Sequence, residues 1–261
     1  MSHIAWKRRF GWLLGGLAPA GPRKVILIYH ALGPNPPAVT VAAFRQQLDW
    51  LHAHAELVSL PDLLQHSNAK GLQVALTFDD GYASLHDDVA PLLLQCGTSA
   101  TVYLNTSHIG DKERQVSDPG QGHYPAQEFL TWPEVHKLAD AGWCIGSHGV
   151  AHIDLTLVDP KDAASELEQS RQEIQLRLQQ KCEHFAYTWG HYTPRLQQQV
   201  RNAGYYSAVS AVHGPLLQGS DIFALPRIDV RADYTLPDFI AAVTGRWDWL
   251  RYKQRLERKF S

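Results

Sequence analysis

Val74-Ala75-Leu76-Thr77-Phe78-Asp79-Asp80-Gly81 is the stretch that decides the fold. Its first five residues are apolar or β-branched with no clean polar alternation, the pattern of a strand buried on both faces. Two carboxylates and a glycine then end it abruptly. Residues 84–95 behind it read as a helix stopped by Gly97. The same succession recurs in both directions. Strands are expected at 25–29, 100–104, 143–146 and 185–187, with two more at 206–212 and 224–228. Helices are expected at 40–54, 131–141, 159–180, 194–203 and 236–259, with a short one from Pro61. Thr131 and Glu134 have capping-box spacing, and Asp159-Pro160 offers a cap with proline at the first helical position. Strands that alternate with helices run parallel, because each connection is a crossover. The expected fold is α/β, with β–α repeated about seven times and a barrel or barrel-like sheet as the economical solution.

The 261 residues suffice for one such domain, expected over 25–261. The composition is 44% hydrophobic and 19% charged, with a net charge of -2, so nothing global points to nucleic acid. Cys96, Cys144 and Cys182 contain no CxxC spacing and leave one thiol over, which argues against a disulfide framework or a cysteine zinc site. Residues 1–24 form a basic, apolar leader or short anchor. Lys7, Arg8 and Arg9 precede an apolar stretch too short to span a bilayer, followed by Ala18-Pro19-Ala20. The leader is expected to rest on the domain or on a membrane surface rather than to be cleaved. A cytoplasmic or inner-membrane-associated protein is accordingly favoured over an exported one. The basic stretch from Arg246 to Lys259, with Trp247, Trp249 and Tyr252, could add a peripheral membrane contact. Oligomeric state is not legible.

Reactive residues of a parallel barrel collect where strands end, at the face formed by the C-terminal loops. His30, Asp79-Asp80, His148 and Trp189 all stand just after expected strands. His148 and His152 form a His-x-x-x-His pair, which on a helical turn puts both imidazoles on one side. Two imidazoles and a carboxylate suit zinc or another divalent transition metal. Asp80 could supply the carboxylate, leaving Asp79 free as the base for a metal-activated water. The long polar loop 105–127 could wall the site.

These residues carry a resemblance. Thr77-Phe78-Asp79-Asp80-Gly81 resembles the signature of the polysaccharide deacetylase family, the NodB-homology carbohydrate esterases. Gly146-Ser147-His148-Gly149-Val150-Ala151-His152, followed by Asp154-Leu155, is similar to that family's second motif. Phe185-Ala186-Tyr187-Thr188-Trp189-Gly190 is similar to its third. Leu225-Pro226-Arg227-Ile228 resembles a late motif of many bacterial members of the envelope or exopolysaccharide type, and Tyr29-His30 with 44–51 resembles their N-terminal part. The resemblance spans roughly Val25 to Val230. It implies a distorted (β/α) barrel with about seven parallel strands, Asp79 as general base, Asp80, His148 and His152 as metal ligands, and usually zinc. It implies attack by activated water on the acyl group of an N-acylated glycan or lipid-linked sugar, with an acid to protonate the leaving nitrogen.

Two departures stand out. Thr188 and Trp189 replace the proline and smaller aromatic usual in the third motif. Tyr187, Trp189 and Arg227 are the candidate substrate contacts; Trp189 could stack on a sugar ring or pack in the core, and Arg227 could instead orient Asp79. The late Leu-x-His motif that supplies the family's acid is not evident, which leaves His30 and His213 as candidate catalytic acids, His30 preferred because the Tyr-His pair ends a strand on the same face. Two alternatives remain open: an amidohydrolase of a small non-sugar amide on the same fold, and a non-catalytic glycan-binding member.

Overall fold

The structure is a computed structural model that describes residues 21–65 and 71–259, with side chains to residue 254. The expected leader at 1–20 therefore lies outside the described residues, while Arg23 and Lys24 already belong to the first strand.

The strands are β1 (Arg23–Tyr29), β2 (Glu56–Leu57), β3 (Leu72–Phe78), β4 (Thr101–Leu104), β5 (Cys144–Ser147), β6 (His184–Ala186), β7 (Ser207–Val209) and β8 (Ile228–Asp229). They run in the order β7-β6-β5-β4-β3-β1-β8, with β2 paired to β3 off this path. Every pairing is parallel. The stretch leading into β8 joins the two ends of the path. The Leu225 N–H donates to Ala208, the Ser210 N–H donates to Leu225, and Ile228 and Asp229 pair with β1. The seven-strand path curls accordingly into the expected distorted barrel. Strand β3, interior to this path, is buried over its last six residues. Thr77 is tolerated there because its hydroxyl donates to the Leu27 carbonyl at 2.7 Å.

The helices are α1 (Val41–His54), α2 (Leu60–Gln65), α3 (Ala90–Gln95), α4 (Trp132–Asp140), α5 (Pro160–Leu178), α6 (Pro194–Asn202), α7 (Leu236–Val243) and α8 (Leu250–Lys259). The capping signals work as read. The Glu134 carboxylate accepts from the Thr131 N–H at 2.9 Å, and the Asp159 carboxylate accepts from the Lys161 N–H at 2.8 Å.

Five expectations on the elements change. The single helix expected at 236–259 is two, because Thr244 ends α7 and Gly245 takes φ 94°. The helix expected at 84–95 opens with a π-turn at Leu85–Val89 before α3. The strand expected at 206–212 is ordered as such only over β7, and the one expected at 224–228 becomes a bridge at Leu225 followed by β8. The loop expected at 105–127 holds two short 3-10 turns. Trp247 is core rather than surface, set edge-on to Tyr234 at 5.2 Å, so it is not available to a membrane. Among the described residues no helix is long and apolar enough to cross a bilayer.

Candidate active site

The Asp-Asp-Gly turn after β3 sends its two carboxylates in different directions. Asp80 takes φ 72° and Gly81 φ 80°, a left-handed step that aspartate tolerates and glycine adopts freely. A Cβ on Gly81 would lie 2.8 Å from Leu104 Cδ2, so the turn packs directly on β4. Asp79 turns inward to Arg227. Asp80 turns toward the end of β5, where His148 and His152 wait.

His148 and His152 do not sit on a helical turn. Residues 148–152 are irregular, and Gly149 at φ 86° and His152 at φ 54° fold the chain back on itself. Glu166 of α5 fastens that turn by accepting the N–H groups of Val150 at 2.7 Å and Ala151 at 3.1 Å. Asn105 adds a hydrogen bond to the His148 carbonyl at 2.7 Å. Neither residue stood out in the sequence, since a lone glutamate on a helix and a lone asparagine after a strand carry no motif.

The resulting cluster is compact and buried. His148 Nε2 lies 3.5 Å and His152 Nε2 3.4 Å from the same oxygen, Asp80 Oδ1. That oxygen is buried and accepts no hydrogen bond among the described residues. Each Nδ1 faces a carbonyl, Ala186 at 2.7 Å for His148 and Gln121 at 3.3 Å for His152. A carbonyl only accepts, so each Nδ1 carries the proton and each Nε2 presents a lone pair. Burial keeps the His148 imidazole below its ordinary pKa, and hence neutral, against the pull of Asp79 and Asp80. Ligand edges of about 3.4 Å are those of a tetrahedron with bonds of ~2.1 Å, the size of a small transition-metal cation. The donor set fits such an ion, and the orphaned oxygen supports it. Among the described residues one other group has metal-ligand proximity, His86, Asp87 and Glu134. Arg114 already fills it, with ion pairs of 2.7 Å to Asp87 and 2.6 Å to Glu134.

Asp79 sits beside this cluster. Arg227 donates to both its oxygens at 2.7 Å, and two further donors go to Thr77 Oγ1 and the Ser210 carbonyl. Burial pushes the Asp79 carboxyl up, but the Arg227 charge and hydrogen bonds outweigh it, and the pKa falls to about 2.

A cavity of about 530 Å³ opens over these groups, lined by Asp79, Asp80, His148 and His152 and walled by His30, Tyr124 and Trp189 among others. His30 is thus brought to the site. Trp189 is 48% exposed, in a left-handed conformation at φ 60°, with its ring 4.8 Å from that of His152. Of the five described non-glycine residues with positive φ, Asp80, His152 and Trp189 line this cavity, the concentration of backbone strain expected where side chains are aimed rather than merely packed.

Two sequence candidates fall elsewhere, and a third reaches the site only through Asp79. His213 is buried beside the C-terminal segment, 4.0 Å from Asp248, and lines a separate cavity with Arg251 and Tyr252. The chain turns away after Val212, whose carbonyl is tied to Arg227 N–H. Tyr187 is fully buried, its hydroxyl donating to the Phe223 carbonyl at 2.8 Å, so it is a core residue. Arg227 is 0% exposed and does not line the cavity; its guanidinium pairs with Asp79.

A parallel barrel that gathers buried carboxylates and imidazoles at its C-terminal face forms a candidate hydrolytic site, three of whose groups could hold a metal ion. Residues 66–208 match the family described as polysaccharide deacetylase, and the chain belongs to that family. It is by family a hydrolase that acts on the N-acetyl carbon–nitrogen bonds of sugars. YxkH of Bacillus subtilis (strain 168), whose name places it among polysaccharide deacetylases, is 26% identical over 211 residues, 78% of this chain and 70% of that protein. Among solved structures, the Streptococcus pyogenes deacetylase PplD in complex with acetate aligns with a TM-score of 0.72 at 22% identity, covering 85% of this chain and 99% of that one. IcaB from Ammonifex degensii aligns with a TM-score of 0.71 at 21% identity, covering 86% and 97%. At these identities the likeness is one of fold.

Proposed function

We propose that this protein removes acetyl or related acyl groups from amino sugars of a glycan, with a divalent cation held by Asp80, His148 and His152. The observation that carries the reading is the convergence of both Nε2 atoms on one orphaned oxygen of Asp80, next to a second, ionised aspartate. A cation held there supplies Lewis-acid chemistry: it polarises the acyl carbonyl and makes a nearby water more acidic. Zinc suits the two-imidazole, one-carboxylate set.

The chain's own groups supply the rest. Asp79 takes the proton from the attacking water; Arg227 holds its carboxylate ionised and oriented. His30, on the cavity wall, donates a proton to the departing nitrogen, without which an amine is a poor leaving group. Trp189 offers an exposed aromatic face at the mouth for the C–H side of a sugar ring.

The test is acetate release from N-acetylglucosamine oligomers before and after chelation. Release that is lost on chelation and returns with added zinc supports the reading. Turnover indifferent to chelation, or turnover of small non-sugar amides alone, argues against it.

A further inference from the structure

Three parts of the site are set by one short piece of chain, residues 118–124, that belongs to none of the sequence motifs. The Gln121 carbonyl faces Nδ1 of His152 at 3.3 Å. Gly122 lies against Trp189 so closely that a Cβ there would stand 1.9 Å from Trp189 Cη2. The Tyr124 ring stacks on His30, with centroids 5.2 Å apart and planes 22° from parallel. The piece is itself fastened. Asp118 accepts the Gly120 N–H at 2.8 Å, the Ser117 hydroxyl donates to the Tyr124 carbonyl at 2.7 Å, and the Tyr124 N–H donates to the Tyr82 hydroxyl at 2.8 Å.

His30 is less constrained than the two other histidines and Asp79 in the cavity. His148 and His152 are each fixed through Nδ1, and Asp79 is gripped by Arg227. Among the described residues no side-chain hydrogen bond fixes the His30 ring, and its described ring contact is Tyr124. The second side-chain torsion of histidine has a broad, soft profile. A flat partner held parallel removes most of that freedom. Tyr124 is suited to be such a partner, since its main chain is tied on both sides and its ring also packs 5.6 Å from that of Tyr82.

We propose that Tyr124 is a positioning residue, holding the His30 ring by stacking so that its nitrogens address the leaving group in the cavity. The proposal rests on His30 being the proton donor. It separates from that reading because Tyr124 would matter only through His30.

The experiment uses the metal-loaded full chain and two substrates. N-acetylglucosamine oligomers release an amine that must be protonated. 4-Nitrophenyl acetate releases a stable phenolate that need not be. His30→Ala is expected to lower kcat on the amide by roughly 100-fold while largely sparing the ester. Tyr124→Leu is expected to lower amide kcat by roughly 5- to 10-fold, the size of a lost stacking contact, with little change in KM and little effect on the ester. Tyr124→Phe recovers the loss, and Tyr124→Leu adds nothing in the His30→Ala background. Tyr124→Met serves if Tyr124→Leu fails to fold. In the metal-free protein, the His30 Cε1–H proton resonance is expected to shift when Leu replaces the ring, a readout that needs no turnover.

Equal losses on both substrates, a full additional loss in the double variant, or an unmoved resonance would overturn the proposal while leaving His30 as donor. Wild-type amide turnover in His30→Ala would overturn both, with any remaining Tyr124 effect then belonging to the cavity wall.

Discussion

Arg227 holds both oxygens of Asp79 in parallel hydrogen bonds of 2.7 Å inside the barrel. This pair gives two neighbouring aspartates different roles. Asp79 is neutralised by a guanidinium and stays ionised, while one oxygen of Asp80 is left without any hydrogen-bond partner among the described residues and faces two imidazoles.

Arg227→Met strips the counter-charge from a buried carboxylate. We expect a loss of ~3–5 kcal/mol in unfolding free energy, measured by denaturant titration, together with a large fall in kcat. Arg227→Lys keeps the charge but loses the fork, so it is expected to fall between the two.

Stability should fall in two windows as the solution is acidified. Burial holds His184 at about 4, below its ordinary value, so folding favours the neutral ring. That contribution is full above about pH 6.5 and is lost as the pH falls toward 4, amounting to about 3 kcal/mol in all. Asp79, depressed to about 2, contributes above about pH 4 and is lost as the pH falls through 2. Unfolding free energy measured from pH 7 to pH 4 should drop in the wild type and drop less in His184→Gln. Equal slopes would contradict the assignment.

Trp189 is half exposed, so Trp189→Ala is expected to change unfolding free energy by less than ~1 kcal/mol. It should raise KM for sugar oligomers roughly five-fold with little change in kcat, as loss of a stacking platform requires. A fall in kcat at constant KM would place the indole in the chemistry instead.

A cation that binds the folded state alone stabilises it by mass action, by ~2.7 kcal/mol at a hundred times its Kd. Thermal melts should shift upward with added zinc in the wild type. The shift should vanish in Asp80→Ala, which removes the oxygen both imidazoles face.

The positions of the reactive groups were legible because strand ends are legible. An apolar run that stops at Asp79-Asp80-Gly81, and another that stops at Ser147-His148, announce the same face of one sheet. What holds those groups was not legible. The helical spacing of His148 and His152 suggested one helical turn, whereas left-handed steps at Gly149 and His152 bring them together. Glu166, Asn105 and the Gln121 carbonyl orient them from 14 or more positions away in sequence, and no local pattern encodes such contacts. Tyr187 and Trp189 looked alike as aromatics of one motif. The strand direction buries the first, and the left-handed turn after it exposes the second. His213 followed an expected strand, but the hydrogen bonds of Val212 and Gln254 carry it away from the cavity.

Bound metal and acetate release, measured together in the wild type and in Asp79→Asn, decide whether Asp80, His148 and His152 hold a working metal with Asp79 as the base. Near-stoichiometric metal is expected in both proteins, with acetate release from N-acetylglucosamine oligomers in the wild type and almost none in Asp79→Asn. A wild type that takes up no metal when zinc is supplied, or an Asp79→Asn protein that still releases acetate at the wild-type rate, would contradict that assignment.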